Sequence, residues 1–188
     1  YNTAVGRSAL AINTTGTMNT AVGSNALDNN QTASYNTAVG VNACGTNTTG
    51  ESNTGLGYAA LAAVTTGNSN TAVGSAAGTN ITTGDYNVAV GKDALINATT
   101  GDNNTAIGQA ALYTMTTGSQ NTAIGKDALK VMTTANNNTV IGYQAADACT
   151  TGDENTIVGN SAGGYFTTGT MIVGIGIMAM IAGNASYS

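Results

Sequence analysis

The chain lacks several residues on which common protein chemistry depends. It has no His, no Pro and no Trp, only one Phe and two Cys, and four Lys or Arg among its 188 residues. Without His it cannot form a Ser-His-Asp triad, a Cys-His dyad or an imidazole metal site. Four basic residues cannot neutralise a run of phosphates, so we expect no nucleic-acid partner. We likewise expect no enzyme activity, no catalytic residues, no cofactor and no metal.

Charge and long apolar runs are also scarce. Charged residues make up 7% of the chain, whereas soluble domains carry about a quarter. No apolar run is long enough to form a membrane-spanning helix, so we expect no membrane insertion by this segment. The chain begins at Tyr1 without an initiating Met or a leader, and we expect it to follow processing or to be part of a longer protein.

A gapless 17-residue repeat dominates what is present. Asn stands at every seventeenth position from Asn2 to Asn155, and an eleventh unit begins at Ile172. The consensus is Asn-Thr-Ala-Val-Gly-x-x-Ala-Leu-x-x-x-Thr-Thr-Gly-x-x. We call each unit a rung, numbered 1 to 11, and each of its 17 positions a column, with Asn2 in column 1 of rung 1.

A 17-residue unit with fixed Gly and Thr is too short for a helical repeat and too rich in poor helix formers. It predicts an all-β fold, a parallel β-solenoid (β-roll) of eleven rungs. Two strands and two Gly corners are expected in each rung, and stacking at strand spacing gives a rod about 50 Å long. The corner glycines predicted in column 5 are Gly6, Gly23, Gly40, Gly57, Gly74, Gly91, Gly108, Gly125, Gly142, Gly159 and Gly176.

The columns predict which side chains are buried. Column 4 is always aliphatic and is predicted to be the core ladder, which comprises Val5, Val22, Val39, Leu56, Val73, Val90, Ile107, Ile124, Ile141, Val158 and Ile175. Column 9, mostly Leu, is also expected inside, and the invariant Ala of column 8 indicates a close approach of two chain segments. Columns 6, 7, 10, 16 and 17 vary and are expected to face water. The Asn column is interpreted as a hydrogen-bonding ladder, with a row of ligand-binding groups as the alternative.

Column 12 changes character along the chain. It holds Asn in rungs 1 to 3 and apolar residues from Val64 onwards. One interpretation is a subunit contact on the outside of the roll, and the other is a buried position that tolerates Asn near the start. The candidate subunit interface comprises Val64, Ile81, Met115, Met132, Cys149, Phe166, Ile175 and Ile177.

The last rung differs from the others and divides the chain into two parts. Residues 1–171 form ten regular units, whereas residues 172–188 form a degenerate apolar repeat that lacks the Asn and Thr columns. An apolar solenoid end invites stacking, so we expect a junction or an association zone here. The two cysteines, Cys44 and Cys149, lie six rungs apart, too far to pair within one chain, and are expected to be buried free thiols.

Segments such as Ala21-Val22-Gly23-Ser24-Asn25-Ala26 resemble the head repeats of trimeric autotransporter adhesins of the YadA type. The Thr-Thr-Gly insertion is also similar to repeats of bacteriophage tail fibres and related bacterial surface proteins. The resemblance covers residues 2 to about 176. It implies a left-handed roll, packed as a homotrimer on a cell or virion surface. The head repeats are typically shorter, and each unit of this chain is extended around Thr-Thr-Gly.

These observations predict a structural, extracellular fibre or adhesin-head segment, a stiff rod that displays side-chain ladders for surface attachment. Its expected partners are further copies of the same chain and a host-surface or matrix receptor. Two alternatives remain open. An ice-binding solenoid would use the Thr ladders, although the adjacent Thr of each Thr-Thr-Gly should point to opposite sides. A subunit of a self-assembling filament would use its open ends.

Overall fold

A computed structural model describes residues 1–179. Eleven three-residue strands form one sheet in sequence order, and every neighbouring pair is parallel. The register advances by one whole rung each time, so that Thr3 pairs with Thr20 and Val5 with Val22. The chain is therefore an all-β parallel solenoid with a 17-residue period, as predicted. The strands are β1 (Thr3–Val5), β2 (Thr20–Val22), β3 (Thr37–Val39), β4 (Thr54–Leu56), β5 (Thr71–Val73), β6 (Val88–Val90), β7 (Thr105–Ile107), β8 (Thr122–Ile124), β9 (Thr139–Ile141), β10 (Thr156–Val158) and β11 (Val173–Ile175).

Each described rung contains one strand, so the prediction of two strands per rung is wrong. The second segment turns instead, because columns 7 and 9 adopt left-handed backbone conformations, such as φ 55° at Ala110 and φ 52° at Leu112. An extended strand requires negative φ at both positions. The turning segment still pairs with the next rung through its backbone, as in the 3.1 Å bond from the Leu112 N–H to the Ala128 carbonyl.

The left-handed backbone conformation restricts which residue types occur in these columns. Column 17 shares the conformation, with φ 58° at Asn103 and at Glu154. None of the described residues in columns 7, 9 and 17 is Val, Ile or Thr, although these three residue types are common elsewhere in the chain. A branched Cβ is especially unfavourable at positive φ, which accounts for their exclusion.

The interior of the solenoid is lined by columns 3, 9 and 12, so the prediction that column 4 forms the core ladder is wrong. Successive strand residues point to opposite faces, and the small residue of column 3, such as Ala106, points inward. The column 4 side chains lie outside, where Leu56 is 45% exposed and Ile107 is 37% exposed. The predicted burial of column 9 is confirmed in rungs 2 to 10, as at Leu112, and the column 8 Ala of the same rungs is buried as well, as at Ala111.

The three inward columns compensate for one another in size. Rung 7 combines a small column 3 residue with Leu112 and Met115, whereas rung 10 combines Ile157 with Gly163 and Phe166. A Cβ on Gly163 would lie 2.8 Å from a ring carbon of Phe166. The larger residues of rung 10 in columns 3 and 12 are thus offset by Gly163 in column 9, as expected of a close-packed interior.

The column 5 glycines stand at the corner after each strand, as predicted. Their φ angles lie between 127° and 146°, a region almost closed to residues with a Cβ. The column 15 glycines have ordinary φ angles but equally little space. A Cβ on Gly101 would collide with the carbonyl oxygen of Gly118 in the next rung. Column 5 is Gly in every rung because of its backbone conformation and its space, whereas column 15 favours Gly for lack of space and holds Ala33 and Ala135 in two rungs.

The boundary predicted at residue 172 falls within the continuous sheet. β11 pairs with β10 in the same register as every other rung, and Gly174 lies opposite Ile157. The junction or association zone predicted for residues 172–188 is described only as far as Ala179. Its remaining part, residues 180–188, lies outside the described residues.

Candidate interaction surface

The column 1 Asn side chains form a buried ladder of hydrogen bonds that runs through the rod. In rung 7 the Asn104 Oδ1 accepts the Asn121 N–H at 3.0 Å, and the Asn104 Nδ2 donates to the Gly118 carbonyl at 2.9 Å. The first bond joins two rungs and the second closes one rung across its width. The pattern repeats from Asn2 up to Asn155, whose Oδ1 accepts the Ile172 N–H. These side chains are therefore committed to the backbone, which supports the hydrogen-bonding interpretation of the column.

Column 16 forms a second ladder, which the sequence interpretation missed. Here a side-chain oxygen accepts an N–H from the preceding rung. Asp102 Oδ1 accepts the Asp85 N–H at 2.8 Å, and Ser119 Oγ accepts the Asp102 N–H at 3.0 Å. The available signal is that Thr, Ser, Asn, Asp and Glu fill column 16 in rungs 1 to 10, and each carries an acceptor oxygen. The column is half-buried in most rungs rather than freely solvated.

Several hydrogen-bond donors of the Thr-Thr-Gly segment bind to one carbonyl oxygen of the next rung. The N–H groups of Thr65, Thr66 and Gly67 all donate to the Thr82 carbonyl, at 2.9, 3.3 and 3.2 Å. The Thr65 hydroxyl donates to the same oxygen at 3.1 Å. The half-buried Thr65 hydroxyl thus bonds to the neighbouring rung, whereas the column 14 Thr, such as Thr66, are exposed.

The column 12 side chains are buried within the chain's own coil, so the prediction that they form a subunit interface is wrong. Val64, Ile81, Met115, Met132, Cys149 and Phe166 are at most 1% exposed. The alternative, a buried position that tolerates Asn, describes this column. Ile175 and Ile177 are 71% and 79% exposed, so these two members of the predicted interface remain accessible.

The polar part of column 12 ends at an unsatisfied atom. Asn30 donates to Asn13 Oδ1 at 2.9 Å, and Asn47 donates to Asn30 Oδ1 at 3.0 Å. Val64 follows in the next rung and has no donor, so the buried Asn47 Oδ1 has no partner. A buried acceptor of this kind costs about 1–3 kcal/mol.

Replacing the whole polar run should therefore stabilise the protein. For Asn13→Val, Asn30→Val and Asn47→Val together we expect a gain of about 1–3 kcal/mol in the free energy of unfolding. The Gly50 carbonyl keeps its bond from Asn36 Nδ2. Asn47→Val alone only transfers the unsatisfied atom to Asn30 and should gain less. Urea denaturation measures both variants, and an equal gain from the single substitution would contradict this explanation.

The outer face of the sheet is built from columns 2 and 4. We call it the Thr/Val face. Column 2 holds Thr in nine of the rungs and Val88 and Val173 in the other two, and column 4 holds only Val, Leu or Ile. The face is exposed to half-buried along β1 to β11. It is the longest continuous strip of aliphatic side chains on the surface of the described residues.

The charged groups lie away from this face, and a small network joins three of them. Lys126 and Lys130 each lie 3.1 Å from the Asp127 carboxylate, and Lys126 also lies over the Tyr143 ring. Burial acts to raise the pKa of Asp127, but the hydrogen bonds and charges of the two lysines outweigh it and lower the pKa. Burial raises the pKa of Asp147 in the next rung.

A shallow cavity of about 240 Å³ lies beside this network, near the last of the described residues. Its lining residues are Gln144, Asp147, Ser161, Gly164, Tyr165 and Met178. Gly164, in column 10, contributes no side chain to it.

The two cysteines are buried and unpaired, as expected. Burial raises the pKa of Cys44 to about 12, and it also raises the pKa of Cys149. Neither thiol is therefore ionised near neutral pH, and neither has the properties of a nucleophile or a metal ligand.

Within residues 1–179, no group of three His, Cys, Asp or Glu could hold a metal ion. The same residues contain no helix that is long and apolar enough to cross a membrane. No protein-family model matches the chain, and neither a curated protein nor a solved structure matches it.

Proposed function

We propose that this chain is a structural rod, a segment of an extracellular fibre or adhesin head. The observation that carries the proposal is the pair of side-chain ladders in columns 1 and 16, which join neighbouring rungs in addition to the backbone bonds. Bending or opening the rod breaks buried hydrogen bonds in several columns at once. The rod is thereby stiff and poor in segments that a protease can extract.

A rod is tested by lengthening it. A variant with five further rungs, made by inserting a second copy of residues 70–154 directly after Glu154, keeps every column in register. Its maximum dimension in small-angle X-ray scattering should increase by about 24 Å, because each rung adds about 4.8 Å. The cross-section should stay constant. If the cross-section of the lengthened variant increased together with its maximum dimension, the result would contradict a rod.

The resemblance to the YadA-type head repeats and to tail-fibre repeats supports the rest of the proposal. From it we infer a rod on a cell or virion surface, a homotrimer that presents side-chain ladders to a host-surface or matrix receptor. The low charge and the absence of any His fit a chain whose role is mechanical. Trypsin cleaves after Lys and Arg, and the chain has only four of these residues. Protease resistance is therefore better tested with thermolysin, which cleaves next to aliphatic side chains.

Ice binding is the second candidate, and one observation favours it. Column 2 Thr and column 4 aliphatic side chains alternate on the same outer face of the sheet, as Thr105 and Ile107 do on β7. Such an array can order water at regular spacing. Thermal hysteresis and ice shaping of the purified protein test this candidate, and a folded sample without either effect would remove it.

A further inference from the structure

The cavity beside the lysine network lies on the turning segments of three successive rungs. Column 7 contributes Gln144, Ser161 and Met178, which belong to rungs 9, 10 and 11. The Ser161 N–H donates to the Tyr143 carbonyl at 2.8 Å, and this bond joins rungs 10 and 9. The Met178 N–H donates in the same way to the Asn160 carbonyl at 2.9 Å. An amide, a hydroxyl and a thioether are therefore held next to one another on a hydrogen-bonded frame.

The Asp147 carboxylate borders the same cavity and has no side-chain partner. It is half-buried, and its Oδ1 would lie 3.7 Å from a Cβ added to Gly164. No ion pair within residues 1–179 includes Asp147, whereas Asp127 is paired with both Lys126 and Lys130. A carboxylate has several lone pairs, so Asp147 can accept hydrogen bonds from a ligand in the cavity.

Rung 2 carries the same Asp in column 10 and provides a comparison. Asp28 is followed by Gly45 in column 10 of the next rung, just as Asp147 is followed by a Gly. The neighbouring Asn29 Nδ2 lies 3.4 Å from the Asp28 Oδ1 and donates to the Gly45 carbonyl at 2.8 Å. The residue after Asp147 is Ala148, which has no side-chain donor. The donor that serves the carboxylate in rung 2 is thus missing beside the cavity.

The other lining groups define the class of ligand. Gln144 supplies an amide that donates and accepts, and the Ser161 Oγ keeps its acceptor lone pairs while it donates to Asn160 Oδ1 at 3.0 Å. Tyr165 and Met178 supply apolar surface. The face of a Tyr ring is negative and attracts the slightly positive C–H groups of a sugar ring. A sugar matches both kinds of surface, because it carries hydroxyls around its edge and C–H groups on its faces.

Charge and size favour one uncharged ring. Lys126 and Lys130 balance Asp127 and Asp147, so the surroundings of the cavity carry no net charge. An anion or a cation therefore gains little from the local field. The cavity volume of about 240 Å³ is below the roughly 300–1,000 Å³ of sites for drug-sized ligands, so it suits a single ring.

We propose that this cavity binds a neutral pyranose ring, as one unit of a glycan on the surface that the rod contacts. The Asp147 carboxylate accepts hydrogen bonds from ring hydroxyls, Gln144 and Ser161 make further hydrogen bonds, and the Tyr165 ring packs against the C–H groups. The inference rests on the proposed function, whose receptor it assigns to a chemical class.

Titration of the full chain with methyl glycosides, followed by nuclear magnetic resonance, tests the site. The probes are the methyl pyranosides of glucose, galactose, mannose and N-acetylglucosamine. At least one of them should shift the amide signals of Ser161, Gly164 and Tyr165. We expect a dissociation constant in the millimolar range, because a ring of about a dozen non-hydrogen atoms makes few contacts. The amide signals of rungs 2 and 3 should stay unchanged.

Two matched pairs of variants locate the binding. Asp147→Asn keeps the shape of the side chain but removes its charge, and it should weaken binding about tenfold or more. Asp28→Asn, in the same column of rung 2, should bind as the wild type does. Gly164→Ile should fill the cavity and abolish the shifts, whereas Gly45→Ile should not. Column 10 already holds Ile96, so we expect both Ile variants to fold, and circular dichroism checks this. The Asn pair decides the question if an Ile variant fails to fold.

Three results would overturn the inference. The first is that none of the four methyl pyranosides shifts the cavity amides. The second is equal binding by Asp147→Asn and Asp28→Asn, which would place the sugar elsewhere. The third is a shift of these amides by butylammonium chloride but by none of the glycosides, which would assign the cavity to cations. The rod-lengthening experiment succeeds or fails separately, because it measures the shape of the chain and not its binding.

Discussion

Gly108→Ala should destabilise the protein by about 2–6 kcal/mol, since two costs combine. The φ of Gly108 is 130°, where a residue with a Cβ is strained by about 1–3 kcal/mol. The new Cβ would also lie 2.5 Å from the Gly125 carbonyl oxygen and 2.9 Å from the Lys126 nitrogen. Both are backbone atoms of the next rung, so no side chain can move aside, and overpacking adds a cost of about 1–3 kcal/mol. Urea denaturation followed by circular dichroism measures the loss.

Gly176→Ala is the matched control. Gly176 has nearly the same φ, 129°, but the nearest atom to its Cβ would be the Ala179 Cβ at 3.9 Å. Only the backbone strain remains, so the loss should be at most half of that for Gly108→Ala. Equal losses would mean that the conformation alone, and not the close approach of the rungs, requires Gly in column 5.

The second large effect is expected from Asn104→Leu. The substitution retains the branching and the number of heavy atoms of the side chain but leaves the Asn121 N–H without an acceptor and the Gly118 carbonyl without its donor. Two buried unsatisfied groups cost about 2–6 kcal/mol together. This is a large part of the roughly 5–15 kcal/mol typical of a folded domain. Hydrogen exchange at the Asn121 amide should accelerate more than exchange in rungs 2 and 3.

Asn80→Ala is the control for the ladder. Asn80 is exposed, and its side chain makes one long hydrogen bond, 3.4 Å to Asn97 Oδ1. Its replacement should change the free energy of unfolding by less than about 0.5 kcal/mol. A comparable loss in both variants would show that Asn104 is no more important than a surface amide, and the ladder would not be what joins the rungs.

The repeat was sufficient to predict the solenoid, the period and the Gly corners, but not which side chains of the strand point into the interior. Thr-Ala-Val-Gly contains two adjacent apolar residues, Ala in column 3 and Val in column 4. Because strand faces alternate, only one of them can be inside. Hydrophobicity favours Val, yet the coil is narrow and encloses the Ala.

Size covariation between columns contains the signal that could have decided the question. Where column 3 enlarges, to Val140 and Ile157, column 9 shrinks to Ala146 and Gly163. Column 4 shows no such exchange with column 9. Only two rungs carry the full exchange, so it is weak evidence until the packing is visible. The column 16 ladder is harder to predict, because polar residues that accept a backbone N–H have the same composition as residues that face water.

The two ladders point in opposite directions along the chain, and this affects how the chain folds as it leaves the ribosome. A column 1 Asn offers its Oδ1 to the N–H of the rung that follows, as Asn104 does to Asn121. A completed rung therefore presents an acceptor before its successor is synthesised. One rung is added in about one to three seconds, whereas a short loop closes in less than about a microsecond. Each rung therefore has time to dock on the previous one. The column 16 side chain of the new rung then accepts an N–H from the previous rung, as Asp102 does from Asp85, and this adds a second hydrogen bond between the two rungs.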